Sequence, residues 1–140
     1  MSQIRPLALG IFIKDDHILV MEGYDEIDKE ILYRPLGGEI EFGEKGENAL
    51  RREIKEEINA EINGIEYLGV IENTFTYNGQ PGHEIDLIYR AEFINPSFYD
   101  QSEINGLEAD TRIKAVWVPL KVFKESKSPL YPAGLINLLK

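Results

Sequence analysis

The stretch RPLGGEIEFGEKGENALRREIKEEINA, from Arg34 to Ala60, decides how this chain folds and where its chemistry lies. Residues 47–58 contain neither glycine nor proline, so they predict the best-defined helix of the chain. Asn59 follows this helix, and asparagine tolerates the left-handed conformation in which helices commonly end. The Gly37–Gly38 pair comes ahead of the helix and predicts a flexible turn. The segment therefore predicts a glycine turn, a loop and a helix.

The glutamates of the helix border its predicted buried face. At 3.6 residues per turn, Glu53, Glu56 and Glu57 fall within about 100° of arc. The neighbouring apolar stripe, which we expect to face the core, comprises Leu50, Ile54 and Ile58. Each like-charge pair three or four residues apart costs a helix about 0.2–0.5 kcal/mol. The close spacing of these three glutamates therefore calls for a structural or functional explanation.

Two interpretations account for these glutamates. The first is a solubilising surface, in which Glu47 pairs with Arg51 and Arg52 pairs with Glu56 at the i,i+4 spacing. The second is a site for a hard divalent cation, since such cations prefer carboxylate oxygens. Magnesium takes one or two protein carboxylates and accepts substrate phosphates as further ligands. The adjacent glycines, which permit close backbone approach, favour the second interpretation.

Composition limits the classes of function. The chain has 140 residues, which suits a single domain spanning 1–140. Its formal net charge of -10 argues against a large nucleic-acid interface and against docking on anionic membranes. There is no cysteine, so disulfides and thiol nucleophiles are excluded. No stretch is long enough to span a bilayer, and we read the apolar run at residues 7–13 as a strand; a cytoplasmic location is expected by default.

The remaining sequence predicts strands with short helices at the end. The predicted strands are 7–14, 18–22, a short strand that ends at Pro35, 65–77, 83–93 and 113–119. We expect an irregular loop over residues 95–110 and two short helices over 120–126 and 133–140. This order of elements predicts an α/β protein with helices packed on a mixed sheet.

The segment also closely resembles a known family motif, G-x5-E-x7-R-E-U-x-E-E-x-G-U, where U is aliphatic. The matching residues are Gly38, Glu44, Arg52, Glu53, Ile54, Glu56 and Glu57. This pattern is the Nudix box of the Nudix hydrolases, and the chain resembles their MutT-like single-domain members. Asn59 replaces the last glycine and Ala60 the last aliphatic residue, but neither change removes a carboxylate. Softer matches such as "YRPLGG", "ENTFTYNG" and "HEIDLIYRAEF" extend the resemblance over most of the chain.

The resemblance implies a fold and a reaction. The fold is an α/β/α sandwich built on a mixed β-sheet, with the box forming a loop–helix–loop. The reaction is hydrolysis of a phosphoanhydride bond in a nucleoside diphosphate linked to another moiety X. The implied cofactor is Mg²⁺, with Mn²⁺ as a substitute, and the implied partner is a small nucleotide substrate. Because dimers are common in the family, a homodimer is compatible with the resemblance.

The resemblance also assigns roles within the box. Glu53, Glu56 and Glu57 would ligate the metal, and a carbonyl oxygen of Gly37 or Gly38 would add a ligand. Arg52 would orient Glu53 or pair with Glu44. For the general base, which varies within the family, Glu53 is the first candidate and Glu44 the second.

Outside the box, four later acids are candidates for an additional ligand or base: Glu84, Asp86, Glu92 and Glu103. Glu103 is preferred because it lies in the predicted loop 95–110, and loops often carry such residues. Arg34 and Tyr33 lie just ahead of the glycines, where they would reach substrate. Arg34 is predicted either to bind a phosphate or to form a structural salt bridge.

The sequence leaves the substrate open. ADP-ribose, other nucleotide sugars, dinucleoside polyphosphates and damaged nucleoside triphosphates all fit, since specificity lies outside the box. The alternative function is a Nudix-fold module that binds or senses a nucleotide without turnover. The complete set of box carboxylates argues against this alternative.

Overall fold

A computed structural model describes residues 2–125 and 127–139 of the chain, in which nine strands form two β-sheets. The strands are β1 (Arg5–Ile11), β2 (Ile13–Lys14), β3 (His17–Asp25), β4 (Glu30–Arg34), β5 (Leu36–Glu39), β6 (Ile62–Tyr77), β7 (Gln80–Phe93), β8 (Glu103–Glu108) and β9 (Thr111–Pro119). The helices are α1 (Gly46–Ile58), α2 (Leu120–Lys124) and two short 3₁₀ helices, Pro96–Tyr99 and Leu135–Leu138. No helix among these residues is long and apolar enough to cross a membrane.

The first sheet is mixed, and its strand order is β5-β1-β7-β6. Strands β1 and β7 run parallel, whereas β5 and β6 pair antiparallel with their neighbours. The second sheet is antiparallel in the order β2-β3-β9-β8, and β4 pairs with β3 as well. The predicted mixed sheet is therefore confirmed, and an antiparallel sheet accompanies it.

Strand β1 separates two apolar cores because its side chains alternate between the faces of the sheet. Ala8 and the residue after the strand, Phe12, belong to the core that α1 covers with Leu50, Ile54 and Ile58. Leu7, Leu9 and Ile11 belong to the other core, which contains Leu120, Phe123 and Leu135 from the C-terminal helices. Helical elements thus lie on both sides of the sheets, which confirms the predicted α/β/α arrangement.

Several predicted elements are confirmed with small changes of boundary. Helix α1 begins one residue before the predicted start and ends at Ile58, and Asn59 has the expected left-handed φ of 55°. The long hairpin of β6 and β7 turns at Asn78–Gly79, where both residues have positive φ.

The predicted single strand over residues 7–14 is wrong. The chain leaves the mixed sheet at Phe12 and continues as β2 in the antiparallel sheet. Phe12 is fully buried, and its ring stacks on Phe93 with 4.1 Å between the centroids. A buried aromatic residue at the crossing point therefore allows one apolar run to serve both sheets.

The predicted loop over residues 95–110 is also wrong. It contains the 3₁₀ helix Pro96–Tyr99 and the strand β8, which pairs with β9 through a turn at Ala109–Asp110. At the C-terminus, helix α2 is shorter than predicted, and the second predicted helix is reduced to one 3₁₀ helix. The predicted ends of these two helices, Ser126 and Lys140, lie outside the described residues.

Candidate functional site

Helix α1 holds the three box glutamates in different environments. Glu57 is buried, with 3% of its surface exposed. The side chain of Glu53 is 17% exposed, whereas that of Glu56 is 59% exposed. Glu53 and Glu57 are one helical turn apart, so both face the space between α1 and the strands. The three carboxylates are therefore not equivalent, and Glu56 lies at the solvent edge.

Arg52 connects the loop before α1 with the helix. Its guanidinium donates two hydrogen bonds to the carboxylate of Glu44, each of 2.9 Å, and one of 2.9 Å to Oε1 of Glu53. It also donates to the carbonyl oxygen of Glu39 at 3.0 Å and contacts Oε2 of Glu56 at 3.4 Å. Arg52 therefore contacts both residues that its two predicted roles involve, Glu53 and Glu44.

Glu44 is fixed from two sides. Besides the bonds from Arg52, its carboxylate accepts a hydrogen bond from the backbone N–H of Glu41 at 3.1 Å. These hydrogen bonds, led by those from Arg52, lower the pKa of Glu44 to about 2. Glu44 is thus a firmly ionised anchor for Arg52.

The glycines lie in a strand rather than in the predicted turn. Gly37 and Gly38 belong to β5, and they pair with Leu9 and Ala8 of β1. Gly37 has φ 140°, and a Cβ there would lie 2.1 Å from the carbonyl oxygen of Ala8. A Cβ at Gly38 would lie 2.4 Å from the carboxyl carbon of Glu53. The glycines therefore allow β5 to approach both β1 and the carboxylate of Glu53.

Glu57 has one satisfied and one unsatisfied carboxylate oxygen. Oε1 accepts a hydrogen bond from the backbone N–H of Gly37 at 3.2 Å. Oε2 is buried and has no hydrogen-bond partner among the described residues. Burial, followed by the adjacent charge of Glu108 and the charge of Glu53, raises the pKa of Glu57 to about 9. The pKa of Glu53 is also raised, chiefly by burial.

Glu108 is an acidic neighbour of the box glutamates that the sequence analysis missed. It is the last residue of β8, and its carboxylate contacts Arg34 at 3.1 Å while facing Glu57. The alternation of Ile104, Gly106 and Glu108 ahead of the Ala109–Asp110 turn was the available signal for a hairpin. Because residues 95–110 were predicted to form a loop, this alternation was not interpreted as a strand.

The other predicted residues make their contacts outside the box. Arg34 forms the salt bridge to Glu108, one of its two predicted roles. The hydroxyl of Tyr33 donates to Glu22 at 3.3 Å, and its ring packs edge-on against Phe123. Glu103 begins β8 and pairs with Lys114 at 3.2 Å. It lies five residues from Glu108, roughly 17 Å along the strand. Glu103 was preferred because a loop was predicted there, and the strand removes that argument.

The chemistry of the donor atoms fits a divalent cation. Glu53, Glu57 and Glu108 present carboxyl oxygens to one another, and one of these oxygens is buried without a partner among the described residues. A cation bound there would favour the ionised forms of these groups. Within the described ranges, however, no group of three or more histidine or acidic side chains is arranged so that it could hold a metal ion. Glu56 contacts Arg52 and would have to turn away from it to join such a group.

A cleft of about 850 Å³ lies beside this group and is bordered by strands of both sheets. Glu108 lines it, whereas Glu53, Glu56 and Glu57 are not among its lining residues. Gly37, Gly38, Arg34 and Glu108 line one part of it. The other part is lined by Arg5 of β1, by Asn73 and Phe75 of β6, and by Glu84 of β7. A cavity of this size accommodates a nucleotide-sized ligand.

A loop–helix–loop that carries acidic side chains beside a cleft defines a Nudix-type site. The model of the NUDIX domain matches residues 4–136, so the chain belongs to this family and is a Nudix hydrolase. Family members of this class act as pyrophosphohydrolases on small nucleotides and generally use divalent metal ions.

Solved structures show the same fold. A MutT NUDIX hydrolase from Burkholderia pseudomallei is similar with TM-score 0.68 and 24% identity, covering 99% of this chain and 98% of that one. A MutT protein from Bacillus halodurans has TM-score 0.65 and 16% identity, with coverage of 98% and 81%. An ADP compounds hydrolase has TM-score 0.55 and 18% identity, with coverage of 89% and 64%. At these identities the similarity concerns the fold.

Proposed function

We propose that the protein is a Mg²⁺-dependent pyrophosphohydrolase that cleaves a phosphoanhydride bond in a nucleoside diphosphate linked to a moiety X. The observation that carries this proposal is the buried, unpaired Oε2 of Glu57 among the carboxylates of Glu53 and Glu108. This environment raises the pKa of Glu57 to about 9 and so disfavours its ionised form, which a bound cation would stabilise. The cleft beside it provides space for the nucleotide.

The residues of the box have distinct roles in this proposal. Glu53 and Glu57 hold the metal together with Glu56, and a carbonyl oxygen of Gly38 adds a ligand. When bound, the metal supplies charge stabilisation for the phosphates and lowers the pKa of water. Glu108 supports the same group from the opposite strand, in the place for which the sequence had suggested Glu103.

Glu53 is the preferred proton acceptor. Glu44 is a weaker candidate because Arg52 engages both of its oxygens and its pKa is about 2. The carboxylate of Glu53 has one oxygen engaged by Arg52, which fixes its orientation. Arg52 is therefore a positioning residue.

A substrate panel tests the proposal. The purified protein is assayed with ADP-ribose, nucleotide sugars, dinucleoside polyphosphates and nucleoside triphosphates, with Mg²⁺ and with a chelator. We expect Mg²⁺-dependent release of a nucleotide, and Glu57→Gln should lower kcat at least about 100-fold while the protein stays folded. Glu47→Gln is the matched control, because Glu47 lies on the same helix, is half-exposed and forms an ion pair with Arg51.

Two outcomes would overturn the proposal. One is full activity of Glu57→Gln or of the metal-free protein. The other is tight binding of a nucleotide without turnover of any panel member, which would instead establish the alternative of a binding or sensing module.

A further inference from the structure

A second polar cluster lies in the cleft, away from the box. It comprises Arg5, Asn73, Glu84 and Asp86. In the register of the mixed sheet, Glu84 of β7 pairs with Arg5 of β1 on one side and with Asn73 of β6 on the other. Asp86 lies two residues farther along β7, on the same face. Arg5, Asn73 and Glu84 all line the cleft that also reaches Gly38.

Three of the four residues of this cluster are buried. Asn73 is 7% exposed and lines the cleft. Glu84 is 9% exposed, and its nearest cation is Nη1 of Arg5 at 3.7 Å. Asp86 is fully buried, and neither of its oxygens has a partner among the described residues. Buried polar groups are normally hydrogen-bonded. Asn73 and Glu84 line the cleft, where a ligand would reach them, whereas Asp86 lies next to Glu84 and is not among the lining residues.

The local charge excludes a phosphate at this position. The guanidinium of Arg5 is already shared between Glu39, at 3.3 Å, and Glu84. Asp86 lies next to Glu84 and contributes a second carboxyl group, not a positive charge. The cluster therefore has no surplus positive charge with which to bind a second anionic group. A neutral group that donates hydrogen bonds to a carboxylate suits it.

An aromatic ring lies beside the polar groups. Phe75 follows Asn73 by two residues on the same face of β6 and lines the cleft. Gly82 leaves space for this ring, since a Cβ there would lie 2.3 Å from Cζ of Phe75. A ring next to hydrogen-bonding groups is the usual arrangement for stacking and reading a base.

The distance between the two sites suits a nucleoside. Gly38 pairs with Ala8, and Arg5 lies three residues earlier on the same strand, which is about 10 Å. A diphosphate held near Glu53 and Glu57 would therefore place its ribose and base toward Asn73 and Glu84.

We propose that Glu84, Asn73 and Arg5 read a nucleobase edge with two adjacent N–H donors beside a carbonyl oxygen, which is the pattern of guanine. The two oxygens of Glu84 accept from the two donors, and Asn73 or Arg5 donates to the carbonyl. Adenine presents one amino group beside a ring nitrogen that accepts hydrogen bonds. That nitrogen would face a carboxylate oxygen, which also only accepts, so adenine would bind less well. This inference rests on the proposed function, because it takes the diphosphate to bind at the box.

Binding of nucleoside monophosphates tests this inference separately from catalysis. Binding of GMP, IMP and AMP to the wild-type protein is measured by isothermal titration calorimetry. At the positions that Glu84 would contact, GMP has two N–H donors, IMP has one and AMP has none. We expect GMP to bind at least about tenfold more tightly than IMP or AMP, because a lost hydrogen bond to a charged group leaves a buried partner unsatisfied. Glu84→Gln should remove this preference, and Asn73→Ala should reduce it.

Glu72→Gln is the matched control, since Glu72 is exposed and lies next to Asn73 on the opposite face of β6. It should leave the GMP preference unchanged. Urea unfolding of each variant shows whether it is folded, and the result from Asn73→Ala stands if Glu84→Gln does not fold. Equal affinity for the three nucleotides, or no binding of any, overturns the inference.

Hydrolysis measured on GTP, ITP and ATP separates the two proposals. Turnover without base preference leaves the pyrophosphohydrolase standing and removes the guanine site. Preferential binding of GMP without turnover of any nucleotide removes the proposed reaction and keeps the guanine site.

Discussion

Replacing Asp86 by asparagine tests whether the buried carboxyl groups of β7 control stability. Burial, together with the charge of neighbouring Glu84, raises the pKa of Asp86. The more distant charges of Arg34 and Arg5 oppose this rise. The packing neighbours in the sheet register, Leu7 and Ile71, carry no charge. In the unfolded chain, Asp86 loses its proton near its ordinary pKa of 3.8.

The sign of the effect follows from proton binding. Between about pH 5 and pH 7, the folded protein keeps a proton that the unfolded chain has lost. Folding therefore takes up a proton, and the free energy of unfolding falls as the pH rises. One proton corresponds to about 1.4 kcal/mol per pH unit, or about 3 kcal/mol over this range. Asp86→Asn carries no ionisable group there and should remove this part of the slope.

Urea unfolding at about pH 5, 6 and 7 measures the slopes of the wild type and of Asp86→Asn. The variant should be less dependent on pH and relatively more stable at pH 7. Glu103→Gln is the control, because Glu103 is half-exposed and pairs with Lys114; it should keep the wild-type slope. The same difference is expected with Mg²⁺ and with a chelator, since Asp86 lies outside the box. Equal slopes for the wild type and Asp86→Asn would refute the reasoning.

Three further changes test the site. Gly38→Ala puts a Cβ 2.4 Å from the carboxyl carbon of Glu53, so kcat should fall at least about tenfold while circular dichroism stays unchanged; wild-type kcat would contradict the close approach. Arg52→Lys loses the bidentate contact with Glu44 and should lower kcat about tenfold or more with little change in KM; a change confined to KM would argue against a positioning role. Glu108→Gln should raise the Mg²⁺ concentration for half-maximal activity severalfold, whereas Glu103→Gln should not; equal Mg²⁺ requirements would place Glu108 outside the site.

The sequence predicted the helix well, because helix formation depends on local spacing. The apolar stripe of α1 and the left-handed Asn59 follow from residues that are neighbours along the chain. The pairing of Arg52 with Glu44 followed from the family resemblance. The bidentate geometry of this pair could not be predicted from the sequence and is seen in the structure.

Residues that meet only through strand pairing were harder to predict. Gly37 and Gly38 read as a turn in the sequence, yet their pairing with β1 makes them a strand. Glu108 reaches Glu57 because β8 passes across α1, and no spacing in the sequence indicates that contact. Asp86 was a candidate ligand or base in the sequence, but its burial depends on strands on both sides of β7 and was not foreseen.

The position of Glu57 shows why the box needs the whole fold. It lies in the last turn of α1, where the partial negative charge of the helix end disfavours a carboxylate. Strand β5 approaches closely enough for the Gly37 N–H to bond one oxygen, and β8 brings Glu108 against the other side. The two apolar cores hold α1 and the strands together and so keep these acidic groups close to one another. With a pKa of about 9, Glu57 keeps its proton at neutral pH in this arrangement, and a bound cation would displace that proton. The unfavourable environment of the ionised Glu57 carboxylate is thus an argument for a functional role of this residue and not for an unstable fold.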